Sequence, residues 1–234
     1  ADAAPGLRAH LDLAPPALRV RLHEPELGED AAVALHVAAV REALEECGVL
    51  FARGEPDVAA AARRALGLTE VIFVPSRIPP HRQMAPVASE KHRLAMVTLA
   101  VENQSGYRTS DQELRSDRPS YTSVTLETCV DTGIPPSQLF FITGADAFAE
   151  IASWYDYPNL LNLAHFVVVS RPSHAVSELR QRLPDLEVRM REAGTLASLD
   201  LRHDGTLIWL VDAATRDISS SDIRTRLARG DSIA

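Results

Sequence analysis

The sequence predicts an α/β protein built on a parallel β-sheet. Three observations lead there. From about residue 57 onward, amphipathic stretches alternate with short apolar runs, the pattern of helices crossing back over a sheet. The apolar runs "VIFV", "QLFFITG", "HFVVVS" and "TLIWLVDA" read as buried strands. Each run ends in a turn holding Pro, Gly or Ser: "PSRIPPHR", "TGAD", "VSRPS" and "DISSSD".

The elements follow in order. Residues 1–25 are rich in Ala, Leu, Arg and Pro and show no period, while 29–49 turn helical with Gly48 as a stop. "DVAAAARRALGL" is a helix with Asp57 as N-cap and Gly67 at its end. "VIFV" is a strand, and the prolines after it hold an extended loop. "SEKHRLAMVTLAVEN" is a helix capped by Ser89, and "YRTSDQEL" is strand and turn. "SYTSVTLETCVDTG" is a helix ending near Gly133. After the strand "QLFFITGAD" come a short helix, "PNLLNLA", and the strand "HFVVVSRP". Residues 175–205 are polar with one helical piece, "SELRQRLPDL". "TLIWLVDA" is the last strand and "SSDIRTRLARG" the last helix.

The 234 residues are 46% hydrophobic, enough to bury a core. A net charge of -8 gives no general attraction for nucleic acid or anionic membrane, so an anionic ligand needs a local basic site. Cys47 and Cys129 do not make a disulfide framework, and a reducing cytoplasm is the simpler expectation. No apolar run is long enough to span a bilayer and no signal peptide is read, although the chain begins "ADAAPGL" without Met.

In parallel α/β sheets ligands bind at the carboxyl ends of the strands. "PSRIPPHR" places Ser76, Arg77, His81 and Arg82 on a proline-stiffened loop, either a phosphate wall or an ordinary solvated loop. Asp146, after "TG", either hydrogen-bonds sugar hydroxyls or caps the next helix. Arg171 either forks onto phosphate or forms a surface salt bridge. Ser219, Ser220 and Ser221 open a helix whose unpaired N–H groups and dipole suit phosphate, and Arg224 lies one turn in. A serine cap explains one of those hydroxyls and not three. Tyr121 and Thr122 begin another helix in the same manner. Trp154, followed by Tyr155 and Tyr157, is either a stacking surface or a lid over the core.

Taken together, "EVIFVPSRIPPHR", "ASEKHRLAMVTLAVEN", "RPSYTSVTL", "FFITGADAF", "LLNLAHFVVVSRP" and "ISSSDIRTRL" resemble bacterial nicotinate-nucleotide adenylyltransferases, six motifs in register over residues 57–234. The resemblance implies a Rossmann-like nucleotidyltransferase fold with a parallel sheet. It implies transfer of AMP from ATP to nicotinate mononucleotide, giving deamido-NAD and pyrophosphate for NAD biosynthesis, with Mg²⁺ as cofactor. It assigns ATP phosphates to Ser219, Ser220, Ser221 and Arg224, and a place near the reacting phosphates to His81. It assigns the mononucleotide to Tyr121, Thr122, Asp146, Trp154 and Arg171. Nucleic acid and membrane are not expected as partners; a homo-oligomer is left open.

The sequence departs from that family at one end. The family opens with a strand and G-x-F-x-P-x-H-x-G-H, whose histidines bind ATP phosphates. None of the eight histidines here is spaced H-x-G-H. Val124 also stands where the family commonly has Asp. The first strand is therefore expected to be missing or replaced. In its place "REALEECGV" resembles the second half of a Nudix box, with Glu42, Glu45 and Glu46 on one helical face as an alternative metal site. The first half of that box is out of register, and 1–54 is too short for a whole Nudix domain. The expected organisation is a Nudix-like fragment, 1–54, joined to an adenylyltransferase-like domain, 55–234, of impaired turnover. The alternatives are a non-catalytic nucleotide-binding protein and a Nudix-type diphosphate hydrolase fusion.

Overall fold

The computed structural model describes residues 58–77, 88–171, 174–193 and 205–213, together with Thr225 and Arg229. The Nudix-like segment, the 54/55 domain boundary and the replaced first strand lie outside those residues.

Helix α1, Val58–Leu66, is rich in Ala, the residue that loses least on entering a helix. It stops where Gly67 turns to a φ of 60°. The Leu68 N–H then reaches back to the Arg63 carbonyl at 3.0 Å, closing the last turn. Strand β1, Val71–Phe73, follows. Helix α2, Glu90–Val101, starts where the Ser89 hydroxyl accepts from the His92 N–H, as the capping pattern predicts. Strand β2 is Tyr107–Thr109 and helix α3 is Thr122–Asp131. Strand β3, Phe140–Gly144, runs into the single-turn helix α4, Ala145–Phe148. The "PNLLNLA" segment is the short helix expected, of the 3₁₀ type, Asn159–Asn162. Strand β4, His165–Val169, is buried along its whole length. Helix α5, Leu179–Arg182, precedes β5, Met190–Glu192, and β6, Ile208–Val211.

Among the described residues all the strand pairs are parallel, in two sheets of order β2-β1 and β3-β4-β6-β5. Strand β5 was not expected. Its sequence, "MRE", carries no apolar run; it is extended because it pairs with the buried edge of β6, Arg191 opposite Trp209.

The period of two in the strands sorts side chains to the two faces. Val167, Val169, Trp209 and Val211 join Val71, Phe73 and Ile142 under Ala59, Ala62 and Leu66 of α1. One hydrophobic cluster thus spans both sheets. Phe166, Val168, Ile208 and Leu210 face the other way, onto Leu126, Phe148, Leu160, Leu161 and Leu179. At the amino ends of the strands, His165 stacks on Phe140 at 4.8 Å, and its Nδ1 accepts from the Leu207 N–H at 2.8 Å. Burial lowers its pKa, so the ring stays a neutral acceptor. Among the described residues no helix is long and apolar enough to cross a membrane.

Candidate active site

An arc of contacts makes up the candidate site: polar contacts beyond the carboxyl ends of β1, β3 and β4, and a group of aromatic rings in which Trp154 packs on Phe141, the second residue of β3. It begins after β1. Arg93 of α2, only 1% exposed, donates to the Ser76 carbonyl, and its other terminal nitrogen reaches the Arg77 carbonyl at 3.5 Å. The Arg77 N–H donates to the Ser120 hydroxyl at 2.9 Å, which brings the "SYT" segment to the end of β1. The Arg77 side chain is committed elsewhere. Its guanidinium meets Asp117 at 2.7 Å and Glu90 at 3.4 Å and donates to the Ser116 carbonyl. The hydrogen bond to Asp117 and the two carboxylates raise its pKa. Arg77 is thus a strut of this loop, not a free cation for phosphate.

The arc continues through aromatic rings. Tyr121, just before α3, stacks on Tyr155 with centroids 4.3 Å apart. Its neighbour Trp154 stands edge-on to Phe141 of β3 at 6.0 Å. The aromatic group therefore divides: Trp154 and Tyr157 pack partly against the core, whereas Tyr155 is 57% exposed. Stacking surface and lid are both present in the one segment. Helix α3 begins at Thr122 with no side-chain cap bond, leaving first-turn N–H groups uncapped by Tyr121.

Beyond β3, Asp146 and Arg171 come together. Asp146 Oδ1 lies 3.6 Å from Arg171 Nε, with the side chains 42% and 25% exposed. Asp146 makes no capping hydrogen bond; the residue at the N-cap of α4 is Gly144. Both side chains fold over Gly144: a Cβ there would sit 2.4 Å from Asp146 Oδ1 and 3.0 Å from Arg171 Nε. Neither of those two atoms has a hydrogen-bond partner among the described residues, though both are buried. The outward part of the pair, its side chains 42% and 25% exposed, is what a ligand rich in hydroxyl or phosphate oxygens can meet. Next to Arg171, the Ser170 hydroxyl both donates to the Ala213 carbonyl and accepts from the Ala213 N–H, each at 2.8 Å. That tie holds the end of β6 against the end of β4.

Of the residues singled out in the sequence, Tyr121, Thr122, Asp146, Trp154 and Arg171 lie on this arc. His81, Ser219, Ser220, Ser221, Arg224, Glu42, Glu45 and Glu46 lie outside the described residues. Among the described residues no three or more His, Cys, Asp or Glu come together as a metal cluster. Sequence reasoning passed over Arg93 and Glu113, which fasten the loops. A charged residue on the inward face of α2, among Leu94, Met96 and Val97, was the one available signal for Arg93.

A profile of the family described as cytidylyltransferase-like matches residues 50–226. The chain is 36% identical over 189 residues to a probable nicotinate-nucleotide adenylyltransferase of Desulfatibacillum aliphaticivorans, covering 77% of this chain and 85% of that protein. It is 40% identical over 179 residues to one so named from Trichlorobacter lovleyi, covering 75% and 82%. A third, from Chromohalobacter salexigens, is 37% identical over 175 residues, covering 75% and 78%.

Proposed function

This chain belongs to the cytidylyltransferase-like family, and on that premise we propose that it transfers AMP from ATP to nicotinate mononucleotide, yielding deamido-NAD and pyrophosphate. The fold is the α/β Rossmann-like nucleotidyltransferase fold, with every strand pair among the described residues parallel. The observation that carries the reading is the similarity to three proteins so named, across about four fifths of each.

In the proposed reaction a phosphate oxygen of the mononucleotide attacks the α-phosphorus of ATP. The new P–O bond forms as the bond to pyrophosphate breaks, and pyrophosphate leaves with the electron pair. Such chemistry needs positioning and charge stabilisation more than covalent help. Tyr121 and the uncapped start of α3 at Thr122 receive the pyridine ring and its carboxylate. Trp154, fixed edge-on by Phe141, closes the ring's flank. Asp146 contacts a sugar hydroxyl, and Arg171, held beside it, supplies positive charge to the same nucleotide. Ser219, Ser220, Ser221 and Arg224 are assigned the ATP phosphates, and His81 a place near them. Mg²⁺ would arrive on the triphosphate, held chiefly by phosphate oxygens and water. No described residue is assigned to it. The setting is the cytoplasm.

Turnover is measured as pyrophosphate release from ATP plus nicotinate mononucleotide. Transition-state donors of this kind contribute about 10²-fold each or more, so a chain without H-x-G-H is expected to bind the mononucleotide and turn over weakly. Failure to bind the mononucleotide at all overturns the assignment, and turnover at the level of an H-x-G-H relative assayed alongside overturns the impairment. The missing H-x-G-H also favours a second reading, nucleotide binding without turnover. A thermal shift with mononucleotide and no pyrophosphate release distinguishes it.

A further inference from the structure

Glu113 lies in the turn after β2, and the proposed reaction leaves it unused. One carboxyl oxygen, Oε1, accepts from the Thr125 hydroxyl in the first turn of α3. The other, Oε2, is buried with no hydrogen-bond partner among the described residues. Burial raises the pKa of the carboxyl, against hydrogen bonding from Thr125 and Ser120 and the positive charge of Arg93. An unpaired buried carboxyl oxygen costs free energy, and apolar groups of the same shape would avoid that cost. Glu113 therefore needs a reason beyond packing.

The reason is visible in what it joins. Ser120 and Thr125 bracket Tyr121 and Thr122. The Ser120 hydroxyl also accepts from the Arg77 N–H, and the Arg77 and Ser76 carbonyls accept from Arg93. These bonds form a circuit in two parts: Arg93, Ser76, Arg77 and Ser120 tie the strand end to the segment before α3, and Glu113 ties the turn after β2 to Thr125 in its first turn. Helix α3 has no side-chain cap of its own, so this circuit sets where its first N–H groups point.

We propose that Glu113 is a positioning residue for the mononucleotide site: through Thr125 it fixes the start of α3, and with it Thr122 and the Tyr121 ring, in the orientation that receives the pyridine carboxylate. The inference rests on the proposed function.

The test uses the full chain with Glu113→Ala, Glu113→Gln, Thr125→Val and the Glu113→Ala/Thr125→Val pair. Calorimetry gives the Kd for nicotinate mononucleotide and for a non-hydrolysable ATP analogue. Hydrogen exchange follows the amides of residues 122–125. One lost hydrogen bond near a charged ligand group corresponds to about a tenfold change in Kd. Glu113→Ala and Thr125→Val should each raise the mononucleotide Kd about tenfold, leave the ATP-analogue Kd within about twofold, and speed exchange in that segment. The double variant should be no weaker than Glu113→Ala alone, because both changes break one contact. Glu113→Gln retains an acceptor at Oε1 and should fall within about threefold of the unsubstituted chain. Equal weakening of both ligands, or unchanged mononucleotide binding in every variant, overturns the positioning role alone. If the unsubstituted chain does not bind the mononucleotide, the proposed function fails and takes this role with it.

Discussion

Replacing Gly144 by Ala should separate the stability of this protein from its ligand affinity. Gly144 has φ -79° and ψ 155°, an extended conformation open to any residue. The backbone therefore accepts a Cβ without strain, and the smaller entropy of the unfolded chain favours Ala by about 0.4–1 kcal/mol. The added Cβ would lie 2.4 Å from Asp146 Oδ1 and 3.0 Å from Arg171 Nε. Both contacts are with side-chain atoms, which can swing away. The ion pair they give up is long and partly exposed, at 3.6 Å with side chains 42% and 25% accessible, and such pairs contribute about 0–1 kcal/mol. The two effects nearly cancel, so the melting temperature should move by no more than about 4 °C. The ligand, by contrast, loses one charge-assisted hydrogen bond or more, at about 1.5–3 kcal/mol each. Its Kd should rise about 10- to 150-fold. Urea denaturation and calorimetry with nicotinate mononucleotide, run on the same samples, give both numbers. An unchanged Kd would show that Asp146 and Arg171 do not hold the ligand. A stability loss above about 3 kcal/mol would show that the contact is not relieved by side-chain movement.

Two further outcomes follow from groups away from the arc. His165 is neutral in the folded chain, its pKa lowered from 6.5 chiefly by burial. The unfolded chain then binds more protons below about pH 6.5, so stability falls as pH drops through that window. The gap in unfolding free energy between the unsubstituted chain and His165→Gln should shrink from pH 7 to pH 5. A gap that widens would contradict the neutral-acceptor reading. Gly106→Ala should destabilise by about 1–3 kcal/mol, read by urea melts. Its φ is 80°, and a Cβ there would meet the Arg63 guanidinium at 2.2 Å. That guanidinium already donates to Ser105 at 2.9 Å and lies 5.0 Å over the Tyr107 ring. A neutral result would mean that neither the positive φ nor the Arg63 contact constrains this position.

The strands legible in the sequence are those whose own residues demand burial. "HFVVV" and "IWLV" are covered on both faces and read as sheet from composition alone. Strand β5 was not legible, because "MRE" is extended only by virtue of β6 beside it. Gly67 and Gly133 announce helix ends locally, and the short helix of "PNLLNLA" is found as the 3₁₀ turn Asn159–Asn162. Asp146 and Arg171 could be singled out as candidates because each stands two residues past the end of a strand. Their approach to each other across Gly144 was not legible, since 25 positions separate them in the sequence. Glu113 looked like one more acidic residue in a polar turn; only its burial against Thr125 sets it apart.

The chain contains two tryptophans, and the fold has put them in unlike places. Trp209 is 3% exposed in the middle of β6, with its indole N–H buried and unpaired among the described residues. Trp154 lies in the candidate site, half-buried against Phe141. Ultraviolet emission from this protein is therefore a two-channel signal. The Trp209 channel, blue and shielded from soluble quenchers, darkens or shifts only when the sheet comes apart. The Trp154 channel is open to quenchers and to any flat ring that settles beside it. Occupancy and unfolding can thus be told apart in one cuvette, with no label attached.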